Sequence, residues 1–274
     1  MMMTDTDCDV HSPYTLSDEA IAAYARDGVV KLKNVFSAEE LAMYEPHITK
    51  LVRERQAQEA LEERDTYGQA FLQICNLWRM DDDACEFAFS KRLARIAAEL
   101  MQVDGVRLYH DQALYKEVSG GFTPWHADQH YWPLATDKTI TAWIPLQEVT
   151  QEMGPLEFAL GSHKQDLGRE QAISDESEYA IRDKVNAGGY EVNSTPFDLG
   201  EVSFHSGWCF HRAGPNTTGT ERKVMTVIYM YQDMTLKTPE HDRQKGDWEK
   251  WVPGVEVGAV CDSPLNPILW NRWG

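Results

Sequence analysis

The chain has 274 residues, 42% of them hydrophobic, enough for one large domain or for one domain with a helical extension. Its formal net charge of −18 argues against nucleic acid or an anionic membrane as partner, but an anionic small substrate would need only a local cluster of Arg and Lys. No apolar run approaches the ~18 residues of a membrane span, the acidic N-terminus has no apolar signal core, and an odd number of cysteines without C-x-x-C spacing points to a reducing cytoplasm.

In chain order, Ser17-Asp18-Glu19 supplies cap-type side chains ahead of a short helix over 20–25 that ends near Asp27-Gly28. Residues 29–33 alternate weakly and read as a strand. Ser37-Ala38-Glu39-Glu40 is a capping box, and the pattern behind it predicts a helix to about residue 62 with a charged, solvated second half. After the run at 72–79 come three aspartates, Asp81, Asp82 and Asp83, which lack the alternating ligand spacing and the glycine of a calcium loop. A helix is predicted over 91–101.

From residue 106 the pattern changes to β-like runs at 106–116, 139–146, 201–204 and 223–231, separated by Gly and Pro. Helices first and many short strands afterwards predict an α+β, mainly β architecture: a β-sandwich or jelly roll with helices on one side. No internal repeat is present. Residues 161–193, polar and weakly periodic, are expected to form a mobile loop over the site.

Two stretches carry the chemistry. In 123–132, His126-x-Asp128 puts an imidazole and a carboxylate on one face of a strand, because side chains i and i+2 project together. In 204–216, His205 and His211 are an even number of positions apart, so a continuous strand would put both on one face. One His and one Asp from the first stretch with one His from the second make the 2-His-1-carboxylate set of non-haem Fe(II) oxygenases. His205 and His130 are rivals for the ligand positions; His130 is read as pocket-lining and His163 as turn-stabilising. The indoles of Trp78, Trp125 and Trp132 are candidates for an apolar wall.

Several motifs, in order along most of the chain, resemble the phytanoyl-CoA dioxygenase family of Fe(II)/2-oxoglutarate oxygenases. They are Asp27-Gly28-Val29-Val30, Asp111-Gln112-Ala113-Leu114-Tyr115-Lys116, Trp125-His126-Ala127-Asp128-Gln129, Thr141-Ala142-Trp143-Ile144-Pro145-Leu146, Gly154-Pro155-Leu156 with Gly161-Ser162-His163, and the run from His211 to Asn216 followed by Arg222. The resemblance implies a double-stranded β-helix (jelly roll, cupin-like) with flanking N-terminal helices. It implies Fe(II), 2-oxoglutarate and O2 as cofactor and cosubstrates, with His126, Asp128 and His211 as metal ligands. Arg222 would hold the far carboxylate of 2-oxoglutarate, with Trp143, Gln112 and Lys116 as further cofactor-binding residues. Related halogenases replace the carboxylate by a small residue, so Asp128 favours oxygen insertion.

The expectation is then one cytoplasmic dioxygenase domain, a monomer or homodimer, hydroxylating a C–H bond of a small-molecule metabolite with release of succinate and CO2. Its parts are a mainly helical 1–105, a β-helix core at 106–235 and a C-terminal extension at 236–274. Desaturation or epimerisation at the same iron site is the alternative. A cupin-like metal hydrolase, against which Arg222 and Trp143 speak, and a non-catalytic binding module, against which the intact triad speaks, are alternatives of another class. No Lys/Arg cluster lies near the motifs, which disfavours a CoA ester as substrate.

Overall fold

The structure is a computed structural model and describes residues 9–56, 71–165 and 175–274. Its first elements follow their capping signals. Ser17 accepts a hydrogen bond from the Ala20 N–H at the start of α1 (Asp18–Asp27), and Gly28 closes the helix at φ 77°. That conformation suits glycine, and a Cβ here would also meet the His163 ring at 2.3 Å. The capping box forms as read: Ser37 and Glu40 exchange side-chain-to-backbone hydrogen bonds at 2.8 and 3.1 Å ahead of α2 (Ala38–Gln56). Residues 57–62 of the expected helix lie outside the described residues. Asp81 accepts from the backbone N–H groups of Asp83 and Ala84, so the acidic run opens α3 (Asp82–Ala88), ahead of α4 (Lys91–Met101).

The strands form two antiparallel sheets. The larger has seven strands: β1 (Val29–Leu32), β8 (Val202–Ser206), β5 (Thr139–Pro145), β10 (Val224–Tyr231), β3 (Gly105–Tyr115) and β11 (Ile268–Asn271) in spatial order, with β2 (Leu72–Cys75) also on β3. The 11-residue β3 pairs with β2 along its C-terminal half and with β11 along its N-terminal half. Residues 236–274 therefore contribute a strand to the main sheet. The smaller sheet has four strands, ordered β4 (Thr123–His126), β9 (His211–Ala213), β6 (Leu156–Ala159) and β7 (Val192–Asn193).

Period-two alternation sorts the large sheet into two buried faces. Ile140, Ala142 and Ile144 of β5 join Met225, Val227 and the helices α2 to α4 in the largest apolar cluster. The intervening Thr141 and Trp143, with Thr226 of β10 and Gln112 of β3, face the small sheet across a cavity. A helix-covered outer face leaves the inner face free for polar groups.

One expectation is corrected. The span 161–193 contains a helix, α5 (Asp175–Ala187), and β7, while residues 166–174 lie outside the described residues. Its charged pattern suggested a loop because, among the described side chains of α5, the buried ones form a narrow face at Glu178, Ile181 and Val185. The last helix, α6 (Asp242–Trp251), was not anticipated at all. No helix among the described residues is long and apolar enough to cross a membrane.

Candidate active site

His126 is the last residue of β4; Ala127 continues extended (φ −124°, ψ 127°), and Asp128 opens a short 3-10 turn. The extended Ala127 therefore keeps the two side chains together, although Asp128 is off the strand. His211 starts β9 and lies directly opposite His126 in the ladder. The His126 and His211 rings are 4.2 Å apart, and their Nε2 atoms lie 3.5 and 3.6 Å from Asp128 Oδ1. The ligand-type atoms of these three residues all fall within 4.8 Å of one another.

Their protonation suits a metal. His126 Nδ1 donates to the Pro124 carbonyl at 2.7 Å and His211 Nδ1 to the Cys209 carbonyl at 3.0 Å. A carbonyl only accepts, so Nδ1 carries the proton and each Nε2 lone pair is left facing its partners. Burial, then the neighbouring His126, pushes His211 well below its ordinary pKa and keeps it neutral. Burial alone would raise Asp128, but His211, His126 and His205 outweigh it and hold the carboxylate well below its usual range. Two imidazoles with Nδ1 engaged by carbonyls and an ionised carboxylate, converging on one point, fit a divalent cation of the non-haem Fe(II) type.

The rival histidine is close but differently placed. His205 is on β8 of the other sheet, so no continuous strand joins it to His211; the chain turns back at 207–210. Its Nε2 is 3.4 Å from Asp128 Oδ2, the oxygen that also accepts from Thr141 Oγ1 at 3.2 Å. Neither ring nitrogen of His205 has a hydrogen bond, so no carbonyl fixes its tautomer. His130 lines neither cavity beside the triad and stacks on His241 at 4.6 Å. Trp132 does line a cavity, whereas Trp125 packs in the core under α5 and Trp78 against Phe89.

Arg222 shares the inner cavity with the triad, 2% exposed. One guanidinium nitrogen donates to the Gly154 carbonyl, Nε has no partner, and the group lies 5.3 Å over the Trp143 ring. Among the described residues it makes no ion pair. Burial lowers its pKa to about 9, which still leaves it charged at neutral pH. A buried cation without a counter-ion costs several kcal/mol, so this position suits a group that receives an anionic ligand. Gln112 lines both cavities and accepts from Gln73 at 2.5 Å. Lys116 pairs its backbone with Arg222, but its Nζ donates to the Gly214 carbonyl at 2.5 Å and does not line the cavity. Burial, then Arg222, lowers Lys116 to about 6.

Motif reading missed the brace behind the histidines. Glu178 of α5 accepts from the Trp125 N–H at 2.9 Å and from Arg212 at 3.1 Å, the residues next to His126 and His211. Glu157 holds the other arm of Arg212 at 3.0 Å. Only the tertiary structure brings Glu178 to this place.

A buried 2-His-1-carboxylate set beside an unpaired guanidinium defines the class: a non-haem iron centre with room for an acidic co-ligand. The chain belongs to the phytanoyl-CoA dioxygenase (PhyH) family, whose sequence profile matches residues 24–224. It is 22% identical to an ectoine dioxygenase of Bordetella parapertussis over 249 residues, 82% of this chain and 79% of that protein. Among solved structures it is similar to the non-heme alpha ketoglutarate dependent carbocyclase SnoK from nogalamycin biosynthesis, with a TM-score of 0.75 and 25% identity over 94% of this chain and 99% of that one. The epimerase SnoN, solved in complex with Fe3+, alpha ketoglutarate and nogalamycin RO, is similar in fold at a TM-score of 0.75, covering 92% of this chain and 98% of that one at 23% identity.

Proposed function

We propose that this protein is an Fe(II)- and 2-oxoglutarate-dependent dioxygenase that hydroxylates a C–H bond of a small molecule. In this reading His126, Asp128 and His211 hold the iron through Nε2, a carboxylate oxygen and Nε2. The bound iron supplies the oxidising chemistry: O2 and 2-oxoglutarate are consumed, succinate and CO2 leave, and one oxygen atom enters the substrate as a hydroxyl.

The protein's own groups position and shield. Arg222 takes the far carboxylate of 2-oxoglutarate as a charge-assisted pair, with Trp143 as the wall beneath its guanidinium. Gln112, at the boundary of the two cavities, is placed to touch the cosubstrate; Lys116 acts through the backbone pair that holds Arg222. Thr141 holds the second carboxylate oxygen of Asp128, which His205 faces, leaving the first toward the two histidines. Burial of the inner face excludes water from the reacting atoms. The observation that carries this reading is Arg222, a buried cation without a counter-ion in the cavity that holds the triad.

The two sheets are read as the halves of a double-stranded β-helix within one domain over 1–274, with α1 to α4 as its helical cover. Asp128 keeps a carboxylate where a halide would need a vacancy, which favours hydroxylation over halogenation. The likeness to a carbocyclase and an epimerase keeps other outcomes at the same centre in play, and product mass separates them. Hydroxylation adds one oxygen, desaturation or ring closure removes two hydrogens, and epimerisation leaves the mass unchanged. The test is succinate formation from 2-oxoglutarate by the metal-stripped protein with Fe(II) or Zn(II) restored. Turnover with Fe(II) alone is expected; equal turnover with Zn(II), or none with either, would overturn the reading.

A further inference from the structure

A second cavity, of about 360 Å3, adjoins the triad and has His126 and Asp128 in its lining. Its size is at the small end of the range for small-molecule sites, about 300–1000 Å3. One wall is α6, which lies beyond residues 24–224, the part matched by the family profile. Arg243, Asp247, Lys250 and Trp251 line the cavity from this helix at positions i, i+4, i+7 and i+8, which is one helical face. A face turned inward is ordinarily apolar; here three of these four residues are ionisable.

The two cations have aromatic supports and, among the described residues, no salt bridge. Arg243 donates to the Tyr131 hydroxyl at 3.3 Å, and the Lys250 ammonium lies 4.2 Å from the Trp251 ring centroid. Neither forms an ion pair among the described residues. The Lys250 charge bears on Asp247, His110 and Cys75 and so acts across the cavity. Burial pushes the Asp247 carboxyl up to about 7, so near neutrality it is only partly ionised and repels an anion less than an ordinary aspartate would. Gln73 and Gln112 present amides, while Ile228 is the sole aliphatic residue among the described residues of the lining, a poor match for a long acyl chain. In a chain of net charge −18, two unpaired cations at one cavity stand against the overall field.

We infer that this outer cavity selects a compact polar substrate bearing an anionic group, a carboxylate or a phosphate, which Arg243 and Lys250 hold so that the rest of the molecule reaches the His126–Asp128 edge. The assignment rests on the iron reading for its purpose, but anion binding can be measured without metal.

The probes share one nitrophenyl ring that quenches tryptophan fluorescence: 4-nitrobenzoate, 4-nitrophenyl phosphate and the uncharged 4-nitrobenzamide. Each is titrated into the full-length, metal-free chain, where Trp132 and Trp251 report from the cavity wall. At least one anion should bind about tenfold more tightly than the amide, and the tighter of the two identifies the headgroup. The double variant Arg243→Gln, Lys250→Gln should abolish that preference and leave amide affinity unchanged; both side chains are exposed and glutamine keeps helix propensity, so the fold is spared. Arg222→Gln should leave the preference in place. Equal binding of all three probes, no quenching by any, a preference that survives the double variant, or one that vanishes with Arg222→Gln would each overturn the inference. Since no metal is present, these outcomes are independent of whether iron-dependent turnover is observed.

Discussion

The two cavities that meet at His126 and Asp128 are walled by different kinds of structure. The inner one lies between sheets: Thr141 and Trp143 of β5, His205 of β8 and Thr226 of β10 face it, and its unpaired cation, Arg222, is buried. The outer one is closed by one face of α6, and its unpaired cations, Arg243 and Lys250, stand at an exposed rim. Strands bonded on both sides hold a side chain in a fixed place, which suits a metal and a constant cosubstrate. A helix laid across the mouth can change its face without disturbing the ladder, which suits the choice of substrate. On the proposed reading, chemistry and selection fall to separate elements that share His126 and Asp128.

The largest effect is expected at the triad. His211→Ala should abolish turnover and weaken Fe(II) binding by more than about 100-fold, since losing only an outer hydrogen-bond partner of a ligand costs about 10- to 100-fold. His205→Ala should cost much less, because its Nε2 faces Asp128 Oδ2 and its tautomer is not anchored. Metal titration of the two variants checks this, and equal losses would transfer the ligand role or divide it.

Next is the inner cation. Arg222→Ala removes a buried charge-assisted contact worth about 2–4 kcal/mol, so the KM for 2-oxoglutarate should rise roughly 30- to 1000-fold. An unchanged KM would leave the inner cavity without its anchor and end the contrast between the cavities.

Glu178→Ala should act at one remove. It leaves the Trp125 N–H and Arg212 without their shared acceptor, and Fe(II) affinity should fall about 10- to 100-fold. Glu178→Gln, which keeps an acceptor, should restore part of it. A drop in melting temperature with unchanged metal affinity would reduce Glu178 to a packing role.

The smallest effect is one of pH. Between pH 6 and 8 the KM for 2-oxoglutarate should change little, because Arg222, lowered only to about 9, remains charged and its backbone partner Lys116, lowered to about 6, is at least half neutral throughout. In the outer cavity, Asp247 ionises as pH rises through about 7, so 4-nitrobenzoate affinity should fall about two- to threefold across that range. Among the facing groups, His110 is held neutral at about 3, Cys75 is raised to about 12 and Asp128 stays ionised, so none of these three titrates there. Asp247→Asn should flatten the profile; a slope that persists would assign it elsewhere.

The inner cavity was legible because its groups are local or periodic. His126-x-Asp128 is a three-residue motif, and Thr141 and Trp143 fall on one face by strand period alone. Separating His205 from His211 was beyond periodicity, since the turn at 207–210 sends them to different sheets. Glu178 and the α6 face were not legible, because what they touch is set by packing. Charge on α6 reads as an exposed surface, and only its position against the triad makes Arg243 and Lys250 part of a cavity. No Lys/Arg cluster lies near the motifs along the sequence, and Arg243 and Lys250 reach the cavity beside the triad from a distant helix.

The central claim is that Arg222 reads the far carboxylate of a 2-oxo acid bound at the triad. The most direct measurement is an anaerobic titration of the Fe(II)-loaded protein with 2-oxoglutarate and with pyruvate, which lacks that carboxylate, followed by the visible charge-transfer band of the iron-bound 2-oxo acid. The wild type should prefer 2-oxoglutarate by roughly 30-fold or more, and Arg222→Ala should bind the two acids alike. A preference retained in Arg222→Ala, or no band in the wild type, would contradict the account.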